Sequence, residues 1–124
     1  MVIDSSALLA ILQDEPERRA LVEAIESADR RCLSVVNLVE ASIVLEAWRR
    51  PTAARLHDRL VESDSIDVVG VDREQGELAR RAFARFGKGR HSAGLNFGDC
   101  FAYALAQAFG DSLLFKGGDF SQTD

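Results

Sequence analysis

Four acidic residues stand where an α/β protein usually does its chemistry. Asp4 ends a short apolar run over residues 1–4, Glu40 comes three residues after Asn37, Asp99 three residues after Asn96, and Asp119 a few residues after the apolar run 113–115. Each has a plain structural use. Asp4 suits the cap of a helix beginning at Ser5, and Asn37-x-x-Glu40 and Asn96-x-x-Asp99 are relatives of the capping box. Acids in a first helical turn are also favoured by the helix dipole. Capping does not explain their convergence, because like charges gathered at one sheet edge repel. A hard divalent cation supplies a reason to gather them. Mg2+ or Mn2+ takes carboxylate and water oxygens, keeps several waters and bridges to phosphate. Such an ion polarises a phosphoryl oxygen and lowers the pKa of a bound water. The chain has no GxxxxGK[ST] loop, no GxGxxG after a strand and no GxSxG, so the acids suit phosphodiester hydrolysis better than kinase chemistry.

Other reactive side chains offer less. Cys32 and Cys100 stand far apart and form no CxxC pair, and in a reduced cytosol they read as buried small apolar residues. His57 and His91 are too few and too isolated for a zinc site of the usual type. Metal chemistry therefore falls to the 20 acidic residues.

The elements that must position the acids follow from hydrophobic periodicity. Residues 1–4 and 31–35 read as short strands, 5–12 and 16–27 as helices, with Pro16 in the first turn of the second. Asn37 is expected to open an amphipathic helix with Leu38, Ala41, Leu45 and Trp48 on one stripe, stopped by Arg50-Pro51. Thr52 is expected to cap a helix running to about Ser63, with Leu56 and Leu60 inward. Residues 66–71 read as a strand, Asp72 caps a helix ending at Gly87, and a Gly-rich loop over 87–98 leads into a last helix stopped by Gly110. Residues 113–115 form a final apolar strand before the Gly117-Gly118 turn. Short strands alternating with helices indicate a parallel sheet covered on both faces. The expected fold is a three-layer α/β/α sandwich with a short central parallel sheet. One domain over 1–124 is expected, since 124 residues is an ordinary domain length. When the acids follow strands in such a sheet, they lie near the crevice beyond the strands' carboxyl ends.

Composition sets the context. Apolar residues make up 47% and charged residues 28%, the balance of a soluble globular protein. No apolar run approaches the roughly 20 residues that cross a bilayer. Met1-Val2-Ile3-Asp4 lacks a basic leader before an apolar stretch, and a cytoplasmic location is expected. The net charge of −5 hides a reversal: between Arg73 and His91, six basic residues face Glu74 and Glu77, a local +4 against −9 elsewhere. Arg80, Arg81, Arg85, Lys88 and Arg90 are thus candidate contacts to a phosphate-bearing substrate, or the solvated face of a helix.

Taken together, Val2-Ile3-Asp4-Ser5-Ser6-Ala7-Leu8, Glu40-Ala41-Ser42, Asn96-Phe97-Gly98-Asp99-Cys100 and Phe115-Lys116-Gly117-Gly118-Asp119-Phe120 resemble the PIN-domain ribonucleases, specifically the VapC toxins of toxin–antitoxin pairs. The resemblance runs over essentially the whole chain, in order. It implies a PIN-like fold and a Mg2+-dependent endoribonuclease, with Mn2+ as a substitute, held inactive by a VapB-type antitoxin and usually homodimeric. It carries metal and catalytic roles to Asp4, Glu40 and Asp99, and a supporting hydrogen-bonding role in the acidic site to Ser6. Asp4 and Asp99 would bind the ion directly, while Glu40 completes the shell or orients the attacking water. Asp119 would play an accessory part. Gly118 departs from the family's usual Asn or Asp before the Asp-Phe pair, so Asp119 is left as a ligand, an orienting group or a structural residue. Two rival readings stand beside this one. In the first the acids are only caps and the chain is a non-catalytic partner-binding module. The second is a PIN-like DNA nuclease, for whose threading arch the chain is short.

Overall fold

The computed structural model describes residues 1–63, 65–117, 121 and 123. Its elements are β1 (Val2–Ile3), α1 (Ser5–Leu12), α2 (Arg18–Ser27), β2 (Cys32–Ser34), α3 (Val35–Ala47), α4 (Pro51–Glu62), β3 (Asp67–Val69), α5 (Arg73–Phe86), α6 (Phe97–Phe109) and β4 (Leu113–Leu114). All pairings are parallel and the strand order is β3-β2-β1-β4. The chain steps outward from β1 through β2 to β3, then returns across α5 and α6 to place β4 on the other side of β1. The order therefore reverses between β1 and β4, which is where open α/β sheets form their ligand crevice.

Side-chain alternation along the strands explains the layers. Val2 and Cys32 face α6, packing with Leu105 and Ala106. Ile3 and Leu33 face the opposite way, into a cluster with Ala7, Leu8, Leu21 and Ala41 from α1, α2 and α3. The α5–α6 layer has its own apolar seam around Ala79, Ala82, Phe86 and Tyr103. The three-layer α/β/α arrangement is thus the expected one. Burial on both faces holds for β1 and β2, whereas β3 is an edge strand with Asp67 and Val68 exposed.

Several boundaries differ from expectation for local reasons. Ser34, not Asn37, caps α3, its side chain accepting the Val36 N–H at 3.3 Å. The helix ends one residue before Trp48, so Trp48 leaves the apolar stripe and is 59% exposed. Pro51 occupies the first position of α4 without a Thr52 cap, and Leu56 faces outward while Ala53 and His57 face in. Arg18 opens α2, leaving Pro16 in the preceding turn. Both cysteines are buried and free. Among the described residues no helix is long and apolar enough to cross a membrane.

Candidate acidic site

Asp4 leaves the carboxyl end of β1 and is fully buried. Its Oδ2 accepts the Ser6 N–H at 2.9 Å, capping α1 as expected, but its buried Oδ1 has no hydrogen-bond partner. Burial pushes the Asp4 carboxyl above its ordinary value; hydrogen bonds from Ser6 oppose that rise and the charge of Glu40 adds to it. A buried carboxylate oxygen without a donor is costly, and its natural complement is a cation.

Ser6 ties this end of α1 to the strand on the other side of the switch point. Its Oγ accepts the Lys116 N–H at 2.9 Å just beyond β4, while the Asp4 N–H donates to the Leu114 carbonyl at 2.9 Å. Ser6 thus holds the Asp4 carboxylate through its N–H and braces the chain beyond β4 through its hydroxyl. Asp119, three residues further on, lies outside the described residues.

Glu40 sits one turn and a half into α3. The capping box expected of Asn37 and Glu40 does not form, because Asn37 lies inside the helix. Glu40 Oε1 instead accepts the Ser5 hydroxyl. Asn37 is fully buried and points its amide at two elements, donating to the Gly98 carbonyl at 3.1 Å and to Ser5 Oγ at 3.4 Å. Asn37 Oδ1 is a second buried oxygen without a hydrogen-bond partner. Gly98 has no Cβ for a reason of space: one built there would overlap the Glu40 carboxylate. Ser5, Asn37 and Gly98 thus position Glu40, and the sequence alone points to none of them for this role. Their contacts span α1, α3 and α6, which no local spacing reveals.

Asp99 is buried in the first turn of α6. Here the expected capping box is present: Asp99 N–H donates to Asn96 Oδ1 at 2.9 Å, and Asn96 N–H donates to Asp99 Oδ2 at 3.0 Å. Burial, with the charge of Asp99 adding to it, pushes the neighbouring Cys100 thiol up to about 11. That keeps Cys100 a neutral thiol and out of nucleophilic chemistry.

The three described acids stand on elements joined through Ser5, Asn37 and Gly98, and Asp4 and Glu40 are the pair close enough to interact. Asp4 senses the charge of Glu40, and Glu40 lies against Gly98, the residue before Asp99. Among the described residues, no three His, Cys, Asp or Glu side chains are grouped tightly enough to hold a metal ion by themselves. An Mg2+ ion is commonly held by one or two carboxylates with waters and phosphate oxygens making up the rest, so a site here would rest on fewer than three of these side chains. Asp4 Oδ1 is the carboxylate oxygen left without a hydrogen-bond partner. Neither histidine joins the site: His57 is buried against Leu38 and Ser42, and His91 Nδ1 accepts the Ala93 N–H.

The basic stretch lies on α5 and the loop that follows. Arg80, Arg81, Arg85, Lys88 and Arg90 are all exposed. Arg80 pairs with Glu77 at 3.1 Å, and the Arg85 guanidinium lies 4.7 Å from the Phe86 ring centroid. Lys88 and Arg90 sit on the loop that delivers Asn96 to the start of α6.

The PIN domain profile matches residues 1–124. Ribonuclease VapC of Mycolicibacterium smegmatis is 47% identical over 124 residues, covering 100% of this chain and 96% of that protein. Ribonuclease VapC30 of Mycobacterium tuberculosis is 44% identical over 124 residues, covering 100% and 95%. In three dimensions, the Mycobacterium tuberculosis toxin VapC20, which cleaves the sarcin–ricin loop, aligns with a TM-score of 0.79 at 20% identity over 97% of this chain and 92% of that one. A toxin–antitoxin complex from Klebsiella pneumoniae aligns with a TM-score of 0.72 at 14% identity over 98% and 91%. These two structures support the fold alone, and the sequence relatives carry the family. By whole-chain profile and by relatives of this identity, the chain belongs to the PIN domain family, among its VapC ribonucleases.

Proposed function

We propose that this chain is a Mg2+-dependent endoribonuclease acting in the cytoplasm as the toxin of a type II toxin–antitoxin pair. The observation that carries the metal is Asp4, a fully buried carboxylate with one oxygen unpartnered at the switch point of the sheet. Asp4 and Asp99 would hold the ion, with Glu40 beside them. When bound, the ion would polarise a phosphoryl oxygen and make a water a better nucleophile. The chain's own residues orient that chemistry. Ser5 and Asn37 fix Glu40, Ser6 fixes Asp4, and the Asn96 box fixes Asp99. Arg80, Arg81, Arg85, Lys88 and Arg90, all exposed on α5 and the loop that leads to α6, are the residues we assign to RNA phosphates.

The relatives' names support RNA as the substrate, and an antitoxin partner belongs to the same VapC reading. A homodimer is part of the same reading. Val39, Ile43 and Phe97 are 48%, 61% and 71% exposed and line one apolar surface on α3 and the start of α6. Apolar surface gathered in this way usually marks a protein contact, and a second copy of the chain is the occupant we assign. Ile43→Glu should shift the antitoxin-free protein to monomer by size exclusion with light scattering; an unchanged dimer would move the interface elsewhere.

The deciding experiment is RNA cleavage by antitoxin-free protein with Mg2+ and with EDTA. Cleavage is expected only with the metal, and its absence from any metal-loaded sample would favour the partner-binding reading. Cleavage confined to DNA would favour the DNA-nuclease reading.

A further inference from the structure

A second feature adjoins the acidic site and is not needed to build it. A cleft of about 820 Å3 runs along α1 from Ser6 to Asp14, with Trp48, Arg49 and Arg50 on its far wall and Lys116 at one side. Ser6, whose N–H holds Asp4, is one of its lining residues, so the cleft adjoins the candidate catalytic edge.

Its lining is unusual in two respects. The first is backbone. Asp14 (φ 53°) and Arg49 (φ 52°) are the non-glycine residues with left-handed backbone among those described, and both line the cleft. Each stands just past a helix end in a Schellman arrangement. Asp14 N–H donates to Ile11 O and Glu15 N–H to Ala10 O; Arg49 N–H donates to Glu46 O and Arg50 N–H to Leu45 O. Glycine is the default at that position, and aspartate tolerates it. Arginine has no such tolerance, and backbone strain of this kind gathers at functional sites.

The second respect is the side chains. Trp48, the chain's single tryptophan, is 59% exposed beside the strained turn. The acids here are already answered: Glu15 and Glu17 pair with Lys116, and Asp14 lies 3.9 Å from Arg18. Arg49 and Arg50 have no carboxylate partner among the described residues. Three cations against two acids line a cleft in a chain of net charge −5. A helix C-terminus favours cations, which accounts for the charge but not for the aromatic or for arginine where glycine is expected.

We propose that this cleft is a binding subsite for single-stranded RNA, in which a base stacks on Trp48 and Arg49 and Arg50 meet flanking phosphates. An aromatic face beside a cationic track is how proteins hold single strands without reading sequence. Trp48 caps the C-terminal end of α3, eight residues beyond Glu40 and about 12 Å along the helix axis, so the subsite receives nucleotides flanking the scissile bond. The inference rests on the ribonuclease reading above.

Because Trp48 is the only tryptophan, its emission reports on the subsite directly. A single-stranded oligoribonucleotide is titrated into the antitoxin-free protein in EDTA, and its integrity is checked on a gel. Emission should quench on binding. Trp48→Ala should weaken affinity about five- to hundredfold, with Trp48→Phe restoring most of it. Neutralising Arg49 and Arg50 as glutamine should flatten the slope of log K against log salt by about 0.7 for each phosphate that is no longer neutralised. Arg49→Gly separates structure from binding: relief of the left-handed strain should raise the melting temperature while RNA affinity falls.

The outcomes are distinguishable. If the wild type binds or cleaves RNA while Trp48 emission stays silent and Trp48→Ala matches it, the subsite is wrong and the ribonuclease reading stands. If metal-loaded protein neither binds nor cleaves RNA, both fall together. If emission responds to the copurified antitoxin and not to RNA, the cleft is a protein-docking groove and the proposal is overturned.

Discussion

At the start of α6, Asn96 and Asp99 answer each other's backbone N–H groups. At the start of α1, Asp4 caps with one oxygen and buries the other without a partner. Both are acids at helix N-termini, both are buried, and both lie at the carboxyl edge of the same sheet. Capping accounts for the hydrogen bonds that hold Asp99 in place. It accounts for only half of Asp4, because a serine or asparagine would cap as well without the desolvated charge. Between the two ends sits Glu40, gripped by the Ser5 hydroxyl from one and accommodated by Gly98 from the other. A motif that is fully satisfied structurally gives no sign of function by itself; a neighbour that is not satisfied does.

The largest expected effect tests whether Asp99 does more than cap. Asn in its place keeps an oxygen for the Asn96 N–H and removes the ligand charge. Asp99→Asn should fold and still bind its antitoxin, while RNA cleavage falls at least about a hundredfold, more than the loss of a merely supporting group around a metal costs. A gel time course against a mock purification measures it. Turnover at the wild-type rate would reduce the start of α6 to a cap and leave the metal to Asp4 and Glu40.

A smaller effect is expected at Gly98. A methyl there meets the far end of the Glu40 side chain, which is able to swing away. Alanine is also a better helix former than glycine by as much as about 1 kcal/mol. Gly98→Ala should therefore hold or raise the melting temperature while cleavage falls about tenfold. The split is diagnostic: unchanged cleavage would show that the position of Glu40 does not matter to the reaction.

The same two helix starts show what is legible in a sequence. Asn96-x-x-Asp99 is readable because the capping box is local, and it forms as spelled. Asp4 is readable as a cap for the same reason. Asn37-x-x-Glu40 has equal local merit and fails, because Ser34 caps the helix first and the β-branched pair Val35-Val36, which suits a strand, is drawn into α3. Asn37 is then carried inside, where it binds Ser5 and Gly98 across 32 and 61 residues of chain. Periodicity likewise places Trp48 inward, but the tryptophan is the cap residue, where the helical angle no longer applies. The parallel sheet and its three layers are legible from the alternation of short apolar runs with helices. The contacts that position Glu40 and the strained turn at Arg49 are tertiary and leave no spacing to read.

The smallest expected effect is the most direct test of the orphaned oxygen. The charge on Asp4 is buried beside Glu40, so at neutral pH and without metal it opposes folding. Asp4→Asn keeps the capping oxygen and removes the charge, and should raise the melting temperature in EDTA or leave it unchanged. The sign with pH follows from the raised carboxyl value. Protonation in the folded state favours folding, so wild-type stability attributable to this group rises as pH falls through the raised value toward the ordinary carboxylate range. The advantage of the asparagine variant should shrink over that window, because a neutral Asp4 and an asparagine are nearly alike. Mg2+ should reverse the comparison. At ten times its dissociation constant it stabilises the wild type by about 1.4 kcal/mol, about 3 to 8 °C for a domain of this size. The variant should lose most of that gain. Melts of both proteins in EDTA and across a Mg2+ titration, repeated at acidic pH, measure all three effects. Equal metal-induced shifts in the two proteins would remove Asp4 from the metal and leave its unpartnered oxygen as a structural cost without a function.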